Sequence, residues 1–517
     1  MFQTYQTKLK NEMIVLPSKK TATVFTYLNH YAQFFGMLER KLFVDLYIRK
    51  KNSNELKKRY CAVYEITSRQ YNSIKNQLDG LVKSLVGKRK FDIEELKDKI
   101  KSTEELIQKK MVPKEKAHAS LLKMKGNEVT FLKKVKNYRS LRNYIHQKKR
   151  KLYRMQLKLE KLMQDASHGI IRLCFGSSKL FHKQFHLTQN NLTFDQWKMR
   201  WREARASQFT FIGSKDETFG NQTCTYDTNN NLRIRVSAKD EKVFGKYVVI
   251  SHVSFPYGQE KLDIAKIPTI GYSKGKGKKT TYYRALTSKF IRKEGKWYLY
   301  MTVDVDMPTI QTVGNNGYIG VDFNVNFLAV TEVDRFGNYL HSFHVPFQAY
   351  HVSSEQAKQS LSNALKVVVD YALAKQKPIA REELNFQKKK LQLKQLSKKQ
   401  AKMLSGFPYS NYKEMLNAKC KKAGVDIKAI NPAYTSQIGQ HKFMKMYGIS
   451  SHQSAAMVIA RKAMRFNKLE KVPASHLLTG NKRKIVSKKR FLQWKEVTKQ
   501  WKKYSFHQKN YLLYKTS

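Results

Sequence analysis

The apolar pattern along the chain changes character twice. Residues 1–11 read as a short strand whose larger members are Phe2, Tyr5 and Leu9, with imperfect alternation. From about Thr21 to Ala206 glycine and proline are scarce, and long Lys/Glu/Leu runs carry apolar residues at helical spacing. Leu96 through Ile107 is one such run; Arg139–Leu162 is another, with a densely basic opposite face. Between about Gln208 and Pro308 the period shortens. Leu232–Val236 alternates, Lys246–Ile250 and Lys296–Met301 are β-branched or aromatic, and turn residues such as Thr228–Asn231 and Glu294-Gly295 separate them. Short strands at this spacing predict a small barrel or sandwich.

From Gly317 the pattern is mixed. Three strands are predicted at Tyr318–Val321, Phe327–Val333 and Tyr339–Val345, then a helix over Ser354–Lys375 that Ser353 or Ser354 can cap. A strand at Pro378–Glu382, a basic helix at Gln387–Leu404, a helix near Tyr412–Ala423, a strand at Gly424–Ile430 and a helix at Ser450–Met464 follow. The stretch from about Val472 is basic and aromatic, with Trp494, Trp501, Tyr504 and Tyr511.

Charge narrows the class of partner. The 517 residues carry 100 Lys+Arg against 39 Asp+Glu, a formal +61, while 41% are hydrophobic and 12% aromatic. That apolar content excludes disorder throughout, and a folded body so positive is best stabilised by a polyanion. Runs such as Lys148-Lys149-Arg150-Lys151 and Lys133-Lys134-Val135-Lys136 lack acidic partners at helical spacing. Tyr138, Tyr144 and Tyr153 lie among them, either as core residues or as stacking platforms beside phosphate contacts. The loop Lys274–Lys279 reads as a basic tip for a phosphate backbone. Cys61, Cys174, Cys224 and Cys420 are widely spaced with no C-x-x-C pair, which argues against a disulfide framework or a zinc knuckle. No apolar stretch is long enough for a membrane span, and Met1–Gln6 lacks signal-peptide order. The expected setting is therefore soluble and cytoplasmic, associated with the nucleoid, with nucleic acid as the main partner.

The strand and helix order after Gly317 is that of the ribonuclease H-like fold. Nucleases of that fold place an Asp on the first strand, a Glu on the fourth and a third ligand at the start of the last helix. Together these hold two divalent ions about 3.5–4 Å apart. Asp322 ends Ile319-Gly320-Val321-Asp322 and Glu382 ends Pro378-Ile379-Ala380-Arg381-Glu382. By itself an Asp at a strand end also suits a turn. Glu383 competes with Glu382, but strand phase selects Glu382 and leaves Glu383 solvated. Arg381 is unusual on a buried strand and offers Glu382 a partner other than a metal.

Gly320-Val321-Asp322-Phe323-Asn324, Glu382-Glu383-Leu384-Asn385-Phe386 and Asn431-Pro432-Ala433-Tyr434-Thr435-Ser436-Gln437 resemble the RuvC-type signatures of TnpB. That family comprises transposon-associated RNA-guided DNA endonucleases related to type V CRISPR effectors. The motifs cover about Gly317–Phe466, and the preceding layout is similar more loosely. The resemblance implies a multidomain α+β chain. Residues 1–20 would supply a first wedge strand, 21–206 a helical recognition region and 207–310 a β-barrel wedge domain. An RNase H-like (RuvC) nuclease domain would span 317–470, with a helical insertion at about 387–423, before a basic tail at 471–517. It further implies a guide RNA, a target DNA and a single cleavage site holding Mg²⁺ or Mn²⁺ on Asp322, Glu382 and His452.

Two departures from the family bear on chemistry. Where the family commonly carries a four-cysteine zinc module, Ile438–Gly448 is short and has no cysteine, so no zinc is expected. The last helix of the family opens with Asp, but this chain has His452-Gln453-Ser454-Ala455-Ala456. His452 is either a substituted ligand, which as neutral imidazole shifts preference toward Mn²⁺, or the mark of a lost active site. The second option makes the chain a nuclease-dead RNA-guided DNA binder, a repressor or targeting module. A guide-independent nuclease or general RNA-binding protein is a third option. Asp426, at the start of the last strand, reads as structural, while His441 and Lys442 are open to nucleic-acid contact. Sequence assigns no oligomeric state.

Overall fold

The computed structural model describes residues 1–123, 128–272, 279–349, 351–383, 409–464, 470–472, 489–505, 507–509 and 511. The expected helix at Gln387–Leu404, the loop tip 273–278 and Leu384–Phe386 lie outside them. The chain divides into two units, Met1–Asp306 and Met307–Ser517.

In the first unit, strands β1 (Phe2–Lys8), β2 (Met13–Val15) and β3 (Thr21–Thr23) precede the helices. Thr23 caps helix Val24–Phe43 by accepting from the Thr26 amide, and that helix buries Tyr27, Leu28, Tyr31, Phe35 and Leu38. Ser53–Tyr64 and the 55-residue helix Ser68–Leu122 follow, the latter opened by a Thr67/Gln70 capping box. It packs along Glu128–Ser167. Only Ile145 and Asp165 of that second helix are buried, so most of its surface faces solvent.

The remaining strands are β4 (Gln208–Phe211), β5 (Cys224–Tyr226), β6 (Leu232–Arg235), β7 (Tyr247–Ile250), β8 (Thr269–Tyr272), β9 (Lys279–Tyr282), β10 (Leu286–Lys293) and β11 (Lys296–Asp304). They pair antiparallel in separate sheets: β1-β11-β10-β4, β5-β6-β7 and β8-β9, with β2-β3 apart. Among the described residues no ladder closes these sheets into the expected barrel. Aromatic stacking of Phe209 on Phe290 (centroids 4.6 Å apart) and burial of Trp297 hold the four-stranded sheet against Val24–Phe43.

The second unit is a five-stranded sheet of β12 (Ile319–Phe323), β13 (Phe327–Val333), β14 (Tyr339–Pro346), β15 (Ile379–Glu382) and β16 (Ile427–Ile430). The order is β14-β13-β12-β15-β16. The first three strands are antiparallel, and β12, β15 and β16 are parallel. Helices Ser354–Ala374 and Tyr409–Ala423 cover one face, packing Leu361, Leu365, Val368 and Leu416 on Ile319, Val321 and Ile379. Helix Ser451–Ala463 covers the other, with Ile459 and Ala463 on Ala380. The basic, aromatic C-terminal stretch contributes helix Arg490–Trp501, whose buried Trp494 packs with Val333, Ile438 and Met457 and donates to the Glu470 carbonyl at 2.8 Å. Indole burial on this scale makes that helix part of the core rather than a free tail.

Candidate active site

Strand alternation brings the two acidic candidates to one place. In the parallel pair, Gly320 faces Ala380 and Val321 faces Arg381. One step further along lie Asp322 and Glu382, at the ends of strands about 4.8 Å apart. Side chains two residues apart share a face, so Asp322 and Glu382 lie with Gly320 and Ala380 under helix Ser451–Ala463. Val321 and Arg381 point to the opposite face.

The same row continues across the sheet. Ala329 of β13 pairs with Asp322 on one side and His344 of β14 on the other. His344 was not singled out by sequence, because its place depends on the β13–β14 register and not on any local pattern. Alanine between the two leaves room for a side chain from above.

That side chain is His452. Ser450 caps its helix in a box with Gln453, which places His452 in the first turn. Thr331 Oγ1 donates to the Gln453 carbonyl at 2.8 Å and pins this turn to β13. Close seating depends on Gly320, where an added Cβ would stand 1.9 Å from the Ala456 carbonyl oxygen. As a result His452 Nδ1 lies 3.1 Å from Asp322 Oδ2. The Asp322 side chain is 13% exposed and that of His452 48%, so the pair sits at a solvent-accessible rim. Asn324 Nδ2 donates to the same Oδ2 at 3.1 Å. The Phe327 ring packs T-shaped against both imidazoles, 5.4 Å from His452 and 4.8 Å from His344 between centroids. Burial, then the His452 ring, holds His344 below the usual imidazole range.

Around Glu382 the surroundings differ. Its Oε1 accepts a hydrogen bond from buried Thr435, which lies in the Asn431–Gln437 motif. Lys462 donates to the carbonyls of Asn431 and Ala433 at 3.1 and 2.5 Å. Burial pushes this ammonium down to about 8, with the Glu382 carboxylate acting in the opposite direction. Tyr412, fully buried and stacked on Phe323 at 4.2 Å, senses both carboxylates; burial chiefly drives its hydroxyl well above the usual range.

Asp322 and His452 are thus in direct contact. Glu382 lies at the adjacent strand end on the same face. Among the described residues no three His, Cys, Asp or Glu side chains converge as a ready-made metal cluster. The donor set itself, carboxylate oxygens with one imidazole nitrogen, fits a hard or borderline divalent ion.

The other candidates separate clearly. Arg381 is buried on the far face and donates to the Glu382 main-chain carbonyl at 3.1 Å. Among the described residues its Nε and the Tyr412 hydroxyl are buried without a hydrogen-bond partner. Glu383 is exposed. Asp426 lies at the opposite end of the sheet, where its carboxylate accepts from the Ile427 amide at 2.9 Å. His441 is buried edge-on to Trp501 at 4.2 Å, and Lys442 pairs with Glu470. In the first unit Tyr144 and Tyr153 are 37% and 63% exposed, so neither is a core residue. Lys148 Nζ lies 5.0 Å from the Tyr144 ring centroid, and Tyr138 stacks with His118.

No family model matches the chain, and no curated protein matches it. Among solved structures it is similar to T. thermophilus RuvC in complex with Holliday junction substrate, at 18% identity and a TM-score of 0.20, over 28% of this chain and 89% of that one. It is also similar to a Cas12f1–sgRNA–target DNA complex, at 10% identity and a TM-score of 0.22, over 89% of this chain and 99% of that one. A CRISPR–Cas12f ternary complex gives 11% identity and a TM-score of 0.20, over 89% and 98%. Similarities of this size establish no kinship. Strand order and side-chain geometry are the firmer guide to chemistry. No helix among the described residues is long and apolar enough to cross a membrane.

Proposed function

We propose that this chain is an RNA-guided, divalent-metal-dependent DNA endonuclease of a transposable element, acting at the nucleoid. In this reading residues 317–470 form an RNase H-like nuclease domain, 21–206 a helical recognition region, and 1–20 with 207–310 a wedge. The observation that carries it is the row Glu382, Asp322, Ala329 and His344 across one sheet face, with His452 Nδ1 3.1 Å from Asp322 Oδ2.

Asp322, Glu382 and His452 would hold Mg²⁺ or Mn²⁺. Such ions, when bound, stabilise charge on the attacking and leaving oxygens of a phosphodiester. The chain's own residues do the rest. Asp322 and the Phe327 ring would orient the His452 imidazole toward such an ion. Thr435 holds Glu382, and Lys462 places a cation beside it. The Lys/Arg excess supplies phosphate contacts that position guide RNA and target DNA without reading sequence.

A second reading, a nuclease-dead RNA-guided binder, is favoured by one observation: the imidazole and Asp322 already satisfy each other, with Glu382 bonded to Thr435. Incubating the protein–RNA complex with matched plasmid in Mg²⁺ and then Mn²⁺ separates the two. Asp322→Ala is expected to abolish cleavage and leave RNA binding intact. Cleavage surviving in the purified variant removes the assignment, and intact plasmid in both metals with wild-type protein selects the binder. Manganese binding, followed by loss of its free-ion magnetic resonance signal, should fall in Asp322→Ala whether or not cleavage is detected.

A further inference from the structure

The first unit holds a cavity of about 750 Å³ walled by helices Val24–Phe43 and Phe194–Ala204 and strand β10. This size falls within the range of small-ligand sites. Its wall presents Arg40, Lys198, Arg202, Arg205 and Arg292, against Asp195 and Glu203. Among the described residues Arg40, Arg202 and Arg205 form no ion pair with either carboxylate. Arg292 is oriented by Asn29 Oδ1, 2.8 Å from its guanidinium.

Close packing sets this concentration of charge. A Cβ on Gly36 would stand 2.4 Å from the Arg205 carbonyl oxygen and 3.2 Å from the Arg40 guanidinium, so glycine there lets Arg205 settle beside Arg40. Among the described residues Arg205 Nε is buried with no acceptor, and its guanidinium lies 5.2 Å from the Trp201 ring centroid. Burial, followed by Arg205, holds Arg40 below the usual guanidinium range; burial and then Arg202 do the same to Arg205. Like charges held together at a half-buried site are relieved by an anion. Arg40 also lines a second cavity, of about 450 Å³, with Arg59, Tyr64 and Arg49, the last paired with Asp45 of the same wall at 3.3 Å.

We propose that these two cavities seat neighbouring nucleotides of one nucleic-acid strand, with Arg202 and Arg205 on one phosphodiester and Arg40 shared with the next. A cation common to two adjoining cavities suits a repeating anion better than a lone one, and planar guanidinium forks match phosphate oxygens. The inference rests on the nucleic-acid-binding part of the proposed function and is independent of the cleavage site.

The test uses the full chain without divalent ions and a short single-stranded RNA bearing thiouridine, photo-crosslinked and mapped by mass spectrometry. Crosslinks are expected within residues 194–206, and neither adenosine monophosphate nor inorganic phosphate at matched phosphate concentration should suppress them. Arg40→Gln with Arg205→Gln should lower this yield by about tenfold, as expected for losing charge-assisted hydrogen bonds. Crosslinks found only outside 194–206 overturn the proposal, as does an unchanged yield in the folded double variant. Suppression by phosphate or mononucleotide also overturns it, because the cavity then takes a free anion. The single variant Arg202→Gln, at an exposed position, keeps the test available if the double variant fails to fold. A cleavage-dead protein leaves every one of these readouts intact.

Discussion

Gly320→Ala tests the seating of the last helix on the sheet, on which the site depends. The added methyl would lie 1.9 Å from the Ala456 carbonyl oxygen, 2.8 Å from its carbon and 2.9 Å from the Ala460 nitrogen. All three are backbone atoms, so no rotamer change relieves the clash. Carbon–oxygen contacts settle beyond roughly 3.3 Å, which requires helix Ser451–Ala463 or β12 to recede by on the order of 1 Å. Overpacking of this kind costs about 1–3 kcal/mol. Removing a strand glycine returns about 0.5–1 kcal/mol. The net loss is therefore on the order of 1–2 kcal/mol.

The functional loss should be larger, since a 1 Å misplacement at a reacting centre costs on the order of 100-fold. Hydrogen-exchange mass spectrometry should show weaker protection in the peptide covering 451–463, with the strands of the first unit unchanged. Plasmid cleavage should fall in parallel. Protection and cleavage both equal to wild type would refute the close approach at Gly320 and the geometry derived from it.

Other perturbations have distinct signatures. His452→Asp replaces imidazole by a third carboxylate, so cleavage should shift from Mn²⁺ toward Mg²⁺; an unchanged metal preference would show that this position holds no ion. Glu332 is buried with Lys377 at 2.6 Å and Tyr371 at 2.5 Å. Burial alone would raise its carboxyl, but these two partners outweigh it and hold the group below the ordinary carboxylate value. Glu332→Gln leaves the Lys377 ammonium without its counterion and should cost about 3 kcal/mol at neutral pH. Because the folded value is depressed, this stabilisation is complete above the ordinary carboxylate range and fades as acid protonates Glu332. The thermal shift between wild type and variant should therefore narrow below about pH 4; a constant gap would refute the ion pair. Gly80→Ala, mid-helix with nothing within 4 Å of the added methyl, should stabilise the first unit by roughly 0.8–1 kcal/mol in thermal unfolding.

Local rules fixed much of this protein. Period-two and period-3.6 patterns and capping residues placed β12–β16 and helices Ser354–Ala374 and Tyr409–Ala423, because each depends on neighbours within a few positions. Asp322 and Glu382 were legible for the same reason: each ends an apolar strand. His344 was not, since its row is set by pairing β13 against β14 across a bulge at Glu332/Val333, and register is a long-range property. Exposure removed the core reading of Tyr144 and Tyr153, and it depends on where helix Ser68–Leu122 lies against theirs. Trp494 looked like part of a basic tail until tertiary packing buried it. The 3.1 Å approach of His452 to Asp322 needed a glycine under a helix 136 positions from Ala456. Sequence thus determined the elements and the acidic strand ends; tertiary structure alone decided which side chains meet, because contact between remote segments depends on register and close packing rather than on local preference.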